Sequence, residues 1–377
     1  MNLVRVWAVS RKEYIHILRD PRSLGMAIAI PMLLLVLFGY ALTLDVDHVP
    51  LIVWDQSQTP ASRVFLERFT ASRYFSLRAY SSNYRDIERA IDNEDALVGL
   101  VIPRDFAERT ASLTTVRVQA LVDGSDSNTA TIALGYVEAI SMNYSKDILL
   151  EQMRRLSGRT VEEAVDFQPR VWFNADLESK NYIIPGLIAV IMMVIAALLT
   201  SLTISKEWEQ GTMEQLISTP VKGHELILGK LFPYFTIGML DVVLAVLMGE
   251  FLFHVPLRGN VGLLFGSSGI FLAGALSLGI VISIVAKSQL LASQMAMILT
   301  FLPSFLLSGF MYDIGNMPRG VQFVTYLIPA RYFVRILKGI YLKGVGLEVL
   351  APEFALLAAF SVIMVFIAII KFKKRLE

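Results

Sequence analysis

Apolar runs at residues 24–44, 183–204, 231–253, 261–286, 290–312 and 350–370 dominate the pattern of the chain. Each is close to the roughly 20 residues a helix needs to cross a bilayer. The second run carries no charge, the third holds Asp241 and Glu250, and the fourth is rich in glycine. Pro303 interrupts the fifth, and Glu353 stands near one end of the sixth. The pattern predicts an α-helical polytopic membrane protein with six transmembrane helices.

A different pattern fills residues 45–182. VPLIVW (49–54) is a β-branched apolar run closed by DQSQTP, where Pro60 opens an amphipathic helix, SRVFLERF. ALVGLVIP (96–103) and VRVQALVDG (116–124) read as two further strands. A long helix follows over 130–156, with Ile132, Tyr136, Ile140, Tyr144, Ile148 and Leu149 near one stripe. These elements predict a mixed α/β domain inserted between helices 1 and 2, large enough to fold alone.

Two segments belong to neither class. Residues 1–23 interleave Arg5, Arg11, Lys12, Arg19 and Arg22 with Trp7, Ile15, Ile17 and Leu18. That is the pattern of a basic amphipathic helix on a membrane surface, the bland alternative being a cytosolic tail. The apolar run behind it is too long for a signal-peptide core, and no A-x-A site closes it. Residues 313–346 are aromatic, apolar and basic at helical spacing. They read as short helices at the outer face, where broken backbone survives only when packed on protein.

Basic residues set the orientation. They crowd the N-terminal segment, the stretch after the second run (Lys206, Lys222, Lys230), Lys287, and the tail (Lys371, Lys373, Lys374, Arg375). Both termini are therefore expected in the cytoplasm and the α/β domain outside it. The 377 residues are 55% hydrophobic and 18% charged, with no cysteine, so an outer domain must hold by packing alone. A net charge of +1 gives no field for nucleic acid.

Candidate chemistry is sparse. GHELILGK (223–230) has five residues between its glycines and Leu231 after the lysine, so it is not a phosphate-binding loop. The histidines lack metal-ligand spacing. VDGSDSN (122–128) fits an Asx turn better than a calcium loop. With no nucleophile–base pair in view, the chain is expected not to be an enzyme, any energy coming from a partner.

The most informative stretch is SKEWEQGTMEQLISTPV (205–221), just inside the second span. On a helix, Glu207, Gln210 and Glu214 share one face and Met213, Leu216 and Ile217 another. Gly211 permits a kink, Thr212 with Gln215 is placed to form a capping box, and Pro220 is a stop. Carboxylates beside acidic lipid are repelled, so a basic protein surface suits them better.

At these residues the chain resembles ABC-2-type permeases, the membrane subunits of ABC exporters. EWEQGTMEQLISTPV is similar to the signature after their second span. RKEYIHILRDPR (11–22), LPSFLLSGFMYDIGNMP (302–318) and IPARYFVRILKGIYLKG (328–344) resemble their connecting helix, fifth span and outer re-entrant helices. VWDQS and LVDGSDSNTA resemble a bacterial drug-efflux subgroup that works beside a periplasmic adaptor. The resemblance implies an inner-membrane dimer, of two copies or of paralogues. It also implies a separate cytosolic ATPase that holds ATP and magnesium, with no cofactor on this chain. Glu207, Glu209, Gly211, Thr212 and Glu214 would then form the ATPase-coupling element, with Arg19 and Arg22 nearby to pair with it.

The resemblance also implies a pathway lined by the second and fifth spans, which offer Met192, Met193, Met295, Met297, Phe301 and Phe305. Such side chains suit varied hydrophobic cargo, and each is equally at home as a core or lipid-facing residue. Asp241, mid-span, is either functional or half of an intramembrane polar pair. Gly262 with Gly266 and Gly274 with Gly279 suggest close helix packing. Two other readings stay open: a sensor or scaffold with a ligand-binding outer domain, and an ion-coupled carrier driven through Asp241. The missing internal repeat speaks against the carrier.

Overall fold

The computed structural model describes residues 2–42, 46–157, 170, 172–174 and 178–372. They fall into two compact units: the α/β segment 44–169, and the helical remainder, 1–43 with 170–377.

The chain opens with α1 (Leu3–Arg19) and α2 (Pro21–Ala41). The α/β unit follows as β1 (Val49–Asp55), α3 (Pro60–Thr70), β2 (Phe75–Tyr80), α4 (Tyr84–Asp92), β3 (Val98–Ile102), α5 (Phe106–Ala111), β4 (Gln119–Val122) and α6 (Ser127–Ser157). Its sheet runs β2-β1-β3-β4, parallel except for β4, which lies antiparallel on β3. The chain leaves β1 for β2 on one side and then returns past β1 to β3. With crossovers of one hand, that reversal puts the two connecting helices on opposite faces. Accordingly Leu51 and Val53 pack with Phe65 and Phe69 of α3, while Ile52 packs with Ile87 of α4.

Covered on both faces, β1 up to Trp54 and all of β3 are apolar, which is why VPLIVW and VGLVI are legible as strands. Thr59 caps α3 and Pro60 opens it. Tyr144 of α6 lies 4.9 Å from the Phe65 ring and donates its hydroxyl to the Ala61 carbonyl. The stripe on α6 is Ala133, Val137, Ile140, Tyr144 and Ile148; Leu149, expected on it, is exposed. Strand β4 is shorter than expected, and β2, α4 and α5 add to the elements the sequence pattern predicts.

The helical unit continues with α7 (Ser179–Glu209), α8 (Thr212–Ser218), α9 (Gly223–Leu247), α10 (Val261–Ala286), α11 (Gln289–Leu307), α12 (Arg319–Thr325), α13 (Pro329–Lys338) and α14 (Leu347–Lys371). Single π-helical turns extend α9 and α13. Among the described residues five helices, namely α7, α9 with its π turn, α10, α11 and α14, are long and apolar enough to cross a membrane. The first expected span is α2, whose apolar stretch among the described residues is the shorter Ala27–Ala41. The fifth ends at Leu307, short of Tyr312, because Gly309 turns the chain with φ +78°.

Helix α7 is the axis of the unit, packed by α2, α10, α11 and α13. The outer helices turn Leu33, Leu37, Ile298, Val362 and Phe366 outward, the reverse of a water-soluble surface and the arrangement lipid favours. Between helices, Thr200 donates to the Leu276 carbonyl at 2.8 Å and Ser361 to the Ile270 carbonyl at 2.6 Å. Gly274 and Gly279 sit where a Cβ would strike α14 and α7, so they do serve close packing. Gly266 faces open space and Gly262 approaches only Asn260, so that expected pair packs nothing.

Candidate coupling site

The segment 205–221 is two helices. Helix α7 runs through Glu209, Gly211 takes the left-handed conformation at φ +68°, and α8 starts at Thr212. A side chain at 211 would meet nothing within 4 Å, so glycine is kept there for its backbone alone. Gly211→Ala should cost about 1 kcal/mol and Gly211→Asn less, since asparagine tolerates this region. Unfolding in mixed detergent micelles measures the difference, and equal costs would refute the backbone explanation.

The expected capping box does not form: α8 has no side-chain cap. The Thr212 hydroxyl donates instead to the Glu207 carboxylate, across the break. This bond separates Glu207 from the other acidic residues. Glu207 is buried, whereas Gln210 and Glu214, expected on its face, are exposed, as is Glu209.

Glu207 sits in an ion cluster built by three helices. Lys230 of α9 lies 2.7 Å from Glu13 and 3.3 Å from Glu207, and Lys12 of α1 lies 2.8 Å from Glu207. The Lys230 and Glu13 side chains are only 2% and 5% exposed. Burying charge is tolerable only with this mutual pairing. The expected partner Arg19 is exposed and is not the group on Glu207; the side chain of Arg22 lies outside the described residues. The residues sequence reasoning missed are Lys12, Glu13 and Lys230. The available signal was the stripe Val6, Ser10, Glu13, Ile17 on α1, a buried helix face with a carboxylate in it.

Further bonds fix α1 along α9. Ser10 donates to the Gly229 carbonyl at 2.9 Å, and the Asn2 backbone N–H donates to Glu225 at 2.7 Å. Arg5 reaches the Pro220 carbonyl, just past α8, at 2.7 Å. Glu209 accepts from the backbone N–H of Gln289, the first residue of α11, at 2.8 Å. The junction of α7 and α8 therefore touches α1, α9 and α11 at once. Gly223 to Lys230, the rejected phosphate motif, forms the opening turns of α9, where Glu225 accepts from the Lys222 N–H.

The other sequence candidates lie apart from this cluster. Met192 and Met193 are buried at 1% exposure each in the core of the helical unit. On α11, Met295 is half-buried and Met297 exposed, while Phe301 stacks on Phe305 at 5.7 Å. Asp241 of α9 is fully buried, and neither carboxylate oxygen has a hydrogen-bond partner among the described residues. In the α/β unit, Asp123 and Asp126 each accept from the backbone two residues on, as Asx turns do. Bonds from Ser125 and Thr129 hold these exposed carboxyls below their ordinary range.

Comparison with known proteins agrees with this architecture. The family model of the ABC-2 family transporter protein matches residues 21–370. The "Probable multidrug ABC transporter permease YbhS" of Escherichia coli K12 is 39% identical over 99% of this chain and 98% of its own length. The E. coli permease YbhR, given the same description, is 29% identical over 92% of both chains. The "Inner membrane transport permease YhhJ" of E. coli is 24% identical over 91% of this chain and 92% of its own. With that coverage and five helices able to cross a bilayer, the chain is a multi-pass membrane protein of the ABC-2 transporter family, a permease.

Proposed function

We propose that this permease is the membrane subunit of an ATP-driven exporter, and that the α7–α8 junction receives the motion of a separate cytosolic ATPase. The observation that carries the reading is the buried Glu207 cluster beside a glycine break and an exposed acidic helix. Helix α8 offers Glu214 to a partner. Behind it, the Thr212–Glu207 bond, Lys12 and Lys230 link any displacement of α8 to α1 and α9, and Glu209 links it to α11. A movement delivered at α8 thus reaches helices that cross the bilayer.

The ATPase binds ATP and magnesium, and this chain binds neither. With α2 as a sixth span both termini lie on one side, and the basic residues near the span ends favour the cytoplasm of a bacterial inner membrane for that side, with the α/β unit outside, in reach of an adaptor. Two permeases, copies or paralogues, enclose the pathway. Met192, Met193, Met295, Met297, Phe301, Phe305 and Asp241 are the candidates to line it. The relatives named as multidrug permeases support hydrophobic or amphipathic cargo.

The test is ATP hydrolysis by the complex of this chain with its ATPase in lipid. Glu214→Arg reverses an exposed charge at no structural cost, so protein yield should hold while ATPase association falls at least about tenfold, the loss of one well-formed charged contact. Wild-type association and turnover in this variant would overturn the assignment of α8 as the docking helix.

A further inference from the structure

A cavity of about 490 Å³ is lined by α1, α2, α7, α9 and α11, and Lys12, Glu13, Glu207 and Lys230 of the ion cluster form part of its wall. Its size lies within the roughly 300–1,000 Å³ of small-molecule sites. One half is hydrocarbon: Ile30, Ile195, Leu198, Leu199, Leu202 and Ile237. The other half is polar, and its charges are not equivalent. Glu13 and Glu207 are committed to Lys230 and Lys12. Asp20, also in the lining, has an interaction of its own. Lys206 differs. Its ammonium donates to the His16 Nε2 at 3.2 Å, and it pairs with no carboxylate among the described residues. The site therefore presents a cation that no described carboxylate pairs at ion-pair distance, with an imidazole beside it, next to an apolar slot.

We infer that this cavity binds an anionic amphiphile, its carboxylate, sulfate or phosphate head held by Lys206 and His16 and its hydrocarbon body laid along α2, α7 and α9. The geometry selects against a cationic amphiphile, whose head would lie against Lys206 while Glu13 and Glu207 are already paired with Lys230 and Lys12. A neutral apolar compound would leave Lys206 desolvated without gain. Two sources supply the same chemistry: an anionic lipid of the surrounding bilayer, or a compound taken up for export. The role as cargo site rests on the permease reading above, but the binding itself is a property of this chain and is measured on it alone.

The purified chain is placed in nanodiscs of phosphatidylcholine and titrated with 11-(dansylamino)undecanoic acid, whose emission reports an apolar slot. Dodecyl phosphate should displace this probe at about tenfold lower concentration than dodecyltrimethylammonium, the ratio expected of one charge-assisted contact. Lys206→Glu should weaken the probe about tenfold or more, and Lys206→Met should weaken it while keeping the packing of the stem. Leu198→Trp, which fills the apolar half, should abolish binding. Equal displacement by both head groups, or wild-type binding in Lys206→Met, would overturn the proposal. Phosphatidylglycerol in the disc then separates the sources: displacement by it makes the occupant a bilayer lipid, and its failure to compete makes the occupant a free amphiphile. Absence of probe binding in a chain that still couples to an ATPase would remove this site and leave the permease reading intact. Probe binding without any ATPase coupling would do the reverse.

Discussion

Lys230→Met destabilises the helical unit by about 3–5 kcal/mol, the usual cost of removing one partner from a buried ion pair. Lys230 is 2% exposed and is the ion that Glu13 and Glu207 share, at 2.7 and 3.3 Å. Without it two largely buried carboxylates face each other, with Lys12 the remaining cation. Lys12 is half-exposed and 3.9 Å from Glu13, so it compensates in part. The same exposure makes Lys12→Ala mild, about 0–1 kcal/mol. Partner specificity is checked by a double-mutant cycle. Glu13→Gln with Lys230→Met should recover part of the loss, since the orphaned charge goes with its partner. Additive losses in unfolding experiments would mean that the two side chains contribute independently and that the cluster is not a unit. Because Glu207 connects α7 to α8, this variant should also lose coupling to the ATPase at a temperature where it remains folded.

That cluster shows where the sequence stops being informative. The apolar runs are legible because each meets a single length requirement set by the bilayer, independent of what packs beside it. The break at 211 is legible because glycine in a helix needs a reason. The partners of Glu207 are not, since Lys12 lies 195 residues away and Lys230 on the next long helix, and nothing in α1 or α9 marks them as meeting. The family resemblance points to the basic N-terminal helix, but Arg19, the residue expected, is exposed, and Lys12 of the same helix takes its place. Thr212 misleads in the opposite way: a threonine three residues before Gln215 is a good capping signal, but a buried carboxylate one turn back competes for its hydroxyl and wins. In the α/β unit, β1 and β3 are legible because they are buried on both faces. Edge strand β2 exposes Arg78, Ala79 and Tyr80, and α4 buries only Ile87, so neither leaves a repeat to read. The fit of α4 depends on Gly99 of β3, where a Cβ would strike Ile87, a relation between two elements that no local pattern carries. Met192 and Met193 make the converse point. Their chemistry suits both a core and a lining, and only the packing puts them at 1% exposure.

Gly279→Leu should cost roughly 3 kcal/mol or more, the upper range for overpacking, because the obstacle is backbone and cannot rotate away. A Cβ at 279 would lie 2.9 Å from the Ala197 Cα and closer still to the Ala197 carbonyl and the Thr200 hydroxyl. Leu276, Gly279 and Ser283 follow one another along a single face of α10. The two that flank the glycine hold α7 by hydrogen bonds. Leu276 accepts from Thr200 at 2.8 Å, and the Ser283 hydroxyl accepts from the backbone N–H groups of Ile204 and Ser205 at 3.0 and 2.9 Å. Separating the helices to admit a leucine breaks these bonds together, each worth about 0.6 kcal/mol in a membrane interior. Gly266→Ala on the same helix is the matched control. It meets nothing within 4 Å and should change stability by no more than about 0.5 kcal/mol. Unfolding of the three proteins in mixed micelles separates the effect of the contact from that of losing a glycine. The same displacement acts on the coupling site, because Ser205 lies two residues before Glu207 on the same helix. A chain that tolerates leucine at 279 with full stability and full ATPase coupling would show that α7 is positioned without α10, and the account of α7 as the rigid carrier of Glu207 would fall with it.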